Sequence, residues 1–151
     1  MKTALTKILG SRFVVLGMLM TGSLIFSTPV AAAGKADEKV IIPATSEAIW
    51  KSIDKETEQL ATLIQSGKLE QVHHHAFAIR DLVAALPAKS GSLPADKLAQ
   101  VKAGSKFVAT LAERLDATGD AKDKAGTESN YEKLKGVLKT IRANYAGSGQ
   151  K

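Results

Sequence analysis

The chain has no cysteine. That excludes disulfides, a lipoprotein anchor, covalent c-type haem attachment and every thiolate metal site. Aromatic residues are sparse, with 4 Phe, 2 Tyr and 1 Trp. Set beside abundant Ala, Leu and Lys, that composition points to helix. No segment alternates apolar and polar residues as a half-buried strand does. Proline is scarce too, and the 4 that occur sit at or beside segment boundaries. Catalytic motifs are missing. There is no Gly-rich phosphate loop, no helical His-Glu-x-x-His and no nucleophile elbow around a serine. The expectation is a protein that is not an enzyme.

The apolar run at residues 13–26 is short for a bilayer span. It follows Lys2, Lys7 and Arg12 and precedes Thr28-Pro29-Val30 and Ala31-Ala32-Ala33. A basic start, a short apolar stretch, a helix breaker and a small-x-small site together read as a secretory signal over residues 1–33. Cleavage is expected near Ala33, giving a periplasmic protein with no stable membrane span; the competing reading is an uncleaved anchor. The whole chain of 151 residues carries a formal charge of +6, but the signal holds three basic residues and no acidic one, so the remaining 118 carry +3. A weak, mixed charge of this kind gives no footprint for nucleic acid. A chain of that length buries one modest core.

Residues 34–44 read as a flexible leader that includes the apolar patch Val40-Ile41-Ile42, stopped by Pro43. Helix one starts after Thr45 or Ser46, either able to cap its first amides, and keeps Ile49, Ile53, Leu60 and Ile64 on one face. Ser66-Gly67-Lys68 closes it, with Gly67 suited to a left-handed position. Helix two, from about Leu69 to Leu86, carries an unbroken 3-4-3-4-3 seam of Leu69, Val72, Ala76, Ile79, Val83 and Leu86. Pro87 ends it. Helix three opens at Leu93-Pro94-Ala95-Asp96 and repeats the spacing with Leu98, Val101, Ser105, Val108, Ala112 and Leu115; Phe107 and Leu111 are expected to broaden that face. Gly104-Ser105 is its weak point. Thr118-Gly119-Asp120 reads as a stop followed by a cap, and helix four uses Tyr131, Leu134, Leu138, Ile141 and Tyr145. Residues 147–151 read as a disordered tail. The fold class expected over 45–146 is all-α, an antiparallel up-down-up-down four-helix bundle.

All 3 histidines are consecutive, at His73, His74 and His75. Each helical step turns about 100°, so the triplet straddles helix two. His75 is expected at the core border beside Ile79 and Leu82, His73 at the opposite border, and His74 outward over Glu70. Two metal sites are compatible with this. One is on the surface, from Glu70, His73 and His74. The other lies between helices: counting back from Gly67 sets His73 and His75 level with residues 57–61, with Glu58 as carboxylate partner and Phe107 and Tyr131 as aromatic walls. Nitrogen and oxygen donors suit Cu(II), Ni(II) or Zn(II). Imidazoles also titrate near neutral pH, so a pH-sensitive contact is a further reading. A histidine packed at a core border with no ligand role is the plainest one.

The helical pattern, with Leu111-x-x-x-Leu115, Thr118-Gly119-Asp120 and the closing Leu138-x-x-Ile141-Arg142-x-x-Tyr145, resembles the periplasmic cytochrome c-prime and cytochrome b-type four-helix bundles. In those families the last helix carries haem-binding residues near its end. Here that stretch is Leu138-Lys139-Thr140-Ile141-Arg142-Ala143-Asn144-Tyr145, with no Cys-x-x-Cys-His and no histidine. All 3 methionines lie within the first twenty residues. The resemblance thus implies the fold without the haem. The segment from Val72 to Leu82 also looks like small exported helical proteins found near heavy-metal efflux systems. That likeness implies a metal-responsive accessory role beside an envelope or efflux-system protein. Two rivals stand against it. One is a metal-independent module docking through Val40-Ile41-Ile42; the other is an apolar-ligand carrier with a cavity near Gly104 and Ser105.

Overall fold

The computed structural model describes residues 39–146. The expected signal, residues 34–38 of the leader and the tail at 147–151 lie outside the described residues. Four α-helices and two short 3-10 turns make up the fold, with no strand among the described residues.

Helix α1 spans Ser46–Gln65. Thr45 is its N-cap, and the Thr45 hydroxyl accepts from the Ala48 amide at 3.2 Å. Such a cap contributes about 1 kcal/mol by satisfying an amide that the helix leaves open. Gly67, at φ 72°, turns the chain out of α1. A 3-10 turn at Leu69–Gln71 then leads into α2, Val72–Ala85. A second 3-10 turn, Leu86–Lys89, accommodates Pro87 near its start, where no amide donor is required. Helix α3 is Ala95–Asp120 and α4 is Lys124–Ala143.

Helix α2 packs on both α1 and α3, α3 on α4, and α1 meets α4 more sparingly. Each helix turns its apolar stripe inward. Ile49, Ile53, Leu60, Ile79, Leu82, Leu115, Leu134 and Ile141 are all fully buried in one continuous core. Each such side chain gains roughly 1.5–3 kcal/mol over its exposed state, offsetting chain entropy of similar total size. At one end, the Trp50 and Tyr145 rings meet edge to face at 5.7 Å. The Arg142 guanidinium covers the Trp50 ring at 4.4 Å and pairs with Asp54. The Ser90 hydroxyl donates to the Leu86 carbonyl at 2.6 Å. It therefore accepts from the Tyr145 phenol, 2.8 Å away.

Two sequence expectations need correction. Thr118-Gly119-Asp120 does not stop α3; the helix runs through it, and Asp123 caps α4 by accepting from the Gly126 amide at 2.9 Å. Gly119 is instead a contact point. A Cβ there would lie 2.5 Å from the Leu69 carbonyl oxygen and 2.6 Å from Val72 Cγ2. The left-handed turn residue is Lys122, at φ 54°. The second correction is Phe107, which does not broaden the core face: it is 63% exposed. Gly104 lies so close to Ile141 that α3 and α4 meet there without it.

Candidate functional site

The histidines occupy the first turn of α2 because the Leu69–Gln71 turn ends immediately before Val72. Val72, Ala76, Ile79 and Val83 fix the helix in rotation by pointing into the core. The three imidazoles then face three environments. His73 is buried, and its Nδ1 lies 2.9 Å from the Glu70 carbonyl oxygen. Because a carbonyl only accepts, that nitrogen carries the proton and donates. His74 is exposed, with its ring 3.8 Å from that of His73. His75 is half-buried between α2 and α1, and its Nδ1 lies 2.6 Å from Glu56 Oε2. A carboxylate only accepts, so Nδ1 carries a proton and donates, and Nε2 is the ring nitrogen that Glu56 does not engage.

The border position of His75 and the outward direction of His74 follow the expected rotation, whereas His73, expected at the opposite border, is buried. The carboxylates depart from expectation. Glu70 lies in the 3-10 turn rather than in α2, and its backbone oxygen, not its carboxylate, meets His73. Glu58 is exposed, two residues and about 200° round α1 from Glu56. Its charge falls on Tyr131, whose phenol is pushed above the ordinary range by burial first and then by Glu132 and Glu58, against an opposing Lys135. The carboxylate that reaches His75 is Glu56. Nor do the expected aromatic walls form. Tyr131 donates to the Thr57 carbonyl at 3.3 Å, and Phe107 borders a groove between α3 and α4.

A polar cleft of about 480 Å³ opens beside His75. The leader contributes Lys39, Val40 and Ile41, α1 contributes Ser52, Lys55, Glu56 and Gln59, and α2 contributes His74, His75, Ala78 and Leu82. Two imidazoles and one carboxylate thus edge a single opening, flanked by two ammonium groups. Among the described residues, no group of three or more His, Cys, Asp or Glu side chains is assembled to hold a metal ion. The arrangement can orient an imidazole and present it to solvent; it forms no closed coordination shell. Glu56 escaped the sequence reading because pairing was counted from Gly67. The contact of residue 56 with residue 75 centres the turn between Gln65 and Ser66 instead.

No protein family, no curated protein and no solved structure matches this chain. No helix among the described residues is long and apolar enough to cross a membrane.

Proposed function

We propose that this is a non-enzymatic, exported helical protein that binds a transition-metal ion, Cu(II), Zn(II) or Ni(II), as an accessory to metal homeostasis or resistance. Export to the periplasm rests on the signal-like residues 1–33. An up-down-up-down antiparallel course is part of the reading. It is supported by Gly104 lying against Ile141, Thr127 against Thr118 and Trp50 against Tyr145. The kinship with haem-binding bundles is one of helix arrangement alone.

The observation that carries the metal reading is the bond from His75 Nδ1 to Glu56. A carboxylate on Nδ1 fixes the orientation of the ring and directs Nε2 at a ligand, as is usual for metal-bound imidazoles. His74 edges the same cleft and supplies a second nitrogen. Two protein nitrogens would leave coordination positions open, as an exchangeable ion requires. His73 stays with the core. Calorimetric titration with each of the three metals tests this. The native protein is expected to bind one ion with an affinity that the His73→Ala, His74→Ala, His75→Ala triple variant lacks. Equal affinity in the two proteins removes the reading.

A second reading is a module that docks on an envelope protein. Ile41, which edges the cleft, is 88% exposed, and Ile42 beside it in the chain is 38% exposed. Paired exposed isoleucines on a leader are the kind of anchor a partner groove covers. Crosslinking that recovers one partner from the envelope with or without metal, and that Ile41→Asp abolishes, favours it.

A further inference from the structure

We infer that the outer face of α3 is the seam of a two-fold symmetric homodimer, with Phe107 of each copy seated in the groove of the other. Six exposed residues, Asp96, Gln100, Ala103, Phe107, Thr110 and Arg114, recur at spacings of four and three along α3. That spacing is a single stripe on a helix. Asp96 and Arg114, at its ends, are about five turns apart and so lie on one line.

The stripe is complementary to its own reverse. Turned end for end about Ser105, Asp96 meets Arg114, Gln100 meets Thr110, and Ala103 meets Phe107. An isologous interface requires this of one patch on two identical subunits. Pairing the stripes in parallel would instead set Asp96 against Asp96 and Arg114 against Arg114, a repulsive register. Neither Asp96 nor Arg114 makes an ion pair among the described residues, so both charges are available to a second copy.

The surface beside the stripe has the matching shape. A groove of about 490 Å³ runs between α3 and α4, with Ala103, Gly104 and Gly136 among its lining. Ala103 and Gly136 have little or no side chain, which leaves the groove open to a ring, while Ile141 fills the space beside Gly104. Phe107 stands at its edge, and it is the one Phe, Tyr or Trp side chain among the described residues that is exposed. A knob beside its own hole, offset along one helix, is filled by the neighbour's knob when the helix is reversed. An apolar small molecule would fill the groove but leave the two charges unused.

Sedimentation velocity of the purified protein, from about 1 μM to about 1 mM, tests this. The native protein is expected to pass from monomer to dimer, and Phe107→Glu to stay monomeric. Arg114→Asp is expected to raise the dissociation constant about tenfold or more by setting acid against acid. Asp96→Arg with Arg114→Asp is expected to recover the dimer, because each reversed charge meets its reversed partner. Arg114 lies far from the α3 N-terminus, so its variant leaves the start of the helix untouched, and far-UV circular dichroism checks that each variant keeps its helices. A protein that is monomeric throughout, with or without a fatty acid added, overturns the inference. So does a dimer indifferent to Phe107→Glu, or one that the double reversal does not recover.

Discussion

His75 and Glu56 meet between α2 and α1, Nδ1 to Oε2, at 2.6 Å. Both side chains are partly exposed, so the pair adds little to stability. Its consequence is orientation. Glu56→Gln keeps the shape but loses the carboxylate charge, and Glu56→Ala loses the partner. We expect Glu56→Ala to weaken metal affinity about 10–100-fold, as loss of a supporting carboxylate commonly does. The melting temperature without metal should change little. Parallel calorimetry and thermal melts of the native and variant proteins check both statements.

Three glycines in helices should respond to alanine in three ways. In a helix interior, alanine gains about 1 kcal/mol over glycine. At Gly136 nothing lies within 4 Å of the added methyl, so Gly136→Ala should stabilise by roughly that amount. At Gly104 the methyl would meet Ile141 Cγ1 at 2.5 Å, the reach of a side chain that can turn aside at some cost. At Gly119 it would meet the Leu69 backbone oxygen at 2.5 Å, and a carbonyl cannot turn aside without moving the 3-10 turn. Overpacking of that kind costs about 1–3 kcal/mol, which exceeds the propensity gain. The order of stability by denaturant unfolding should be Gly136→Ala, native, Gly104→Ala, Gly119→Ala.

Lys122 holds φ 54° between α3 and α4, a conformation that costs a residue with a Cβ about 1–2 kcal/mol. Its amide donates to the Gly119 carbonyl at 3.0 Å, and that of Asp123 to the Thr118 carbonyl at 2.9 Å, so the turn closes α3. Lys122→Gly should stabilise by about 0.5–1 kcal/mol once the extra freedom of glycine in the unfolded chain is set against the relief. A rise in the denaturant midpoint at unchanged slope is the expected result.

Burial raises the phenol pKa of Tyr145, and burial with neighbouring carboxylates raises that of Tyr131, above the ordinary 10.0. The folded protein therefore holds these protons more tightly than the unfolded chain. Their stabilising contribution is complete below pH 10 and is lost as pH rises through the raised folded values. Unfolding midpoints measured upward from pH 9 should fall at the alkaline end. Tyr145→Phe should flatten that fall while losing the hydrogen bond to Ser90.

Much of the fold was legible in local chemistry. Thr45 caps α1 because its hydroxyl reaches the Ala48 amide, and a seam like that of Val72, Ala76, Ile79 and Val83 has only one way to face a core. The misses have a common cause. Gly119 looked like a stop because glycine usually marks one, yet here it serves a contact with Leu69, fifty residues away, that no local pattern reveals. Phe107 sits about 100° round α3 from Val108 and one step past Leu111, and only the packing of the neighbouring helices shows that the core ends at Leu111. Three consecutive histidines are plain in the sequence, whereas the partner of His75 is not. The choice between Glu56 and Glu58 depends on how many residues the α1–α2 connection consumes, and the Leu69–Gln71 turn fixes that number.

Under the proposed function, His74 and His75, which both edge the cleft, take up a metal ion while His73 stays with the core. Imidazole NMR spectra recorded during addition of Ni(II) or Cu(II) address each ring separately. The His74 and His75 signals are expected to broaden first and saturably, with His75 Nε2 the nitrogen affected, while His73 keeps its Nδ1 proton. Uniform broadening of all three rings, or none below the concentration that perturbs free histidine, would contradict the proposed function.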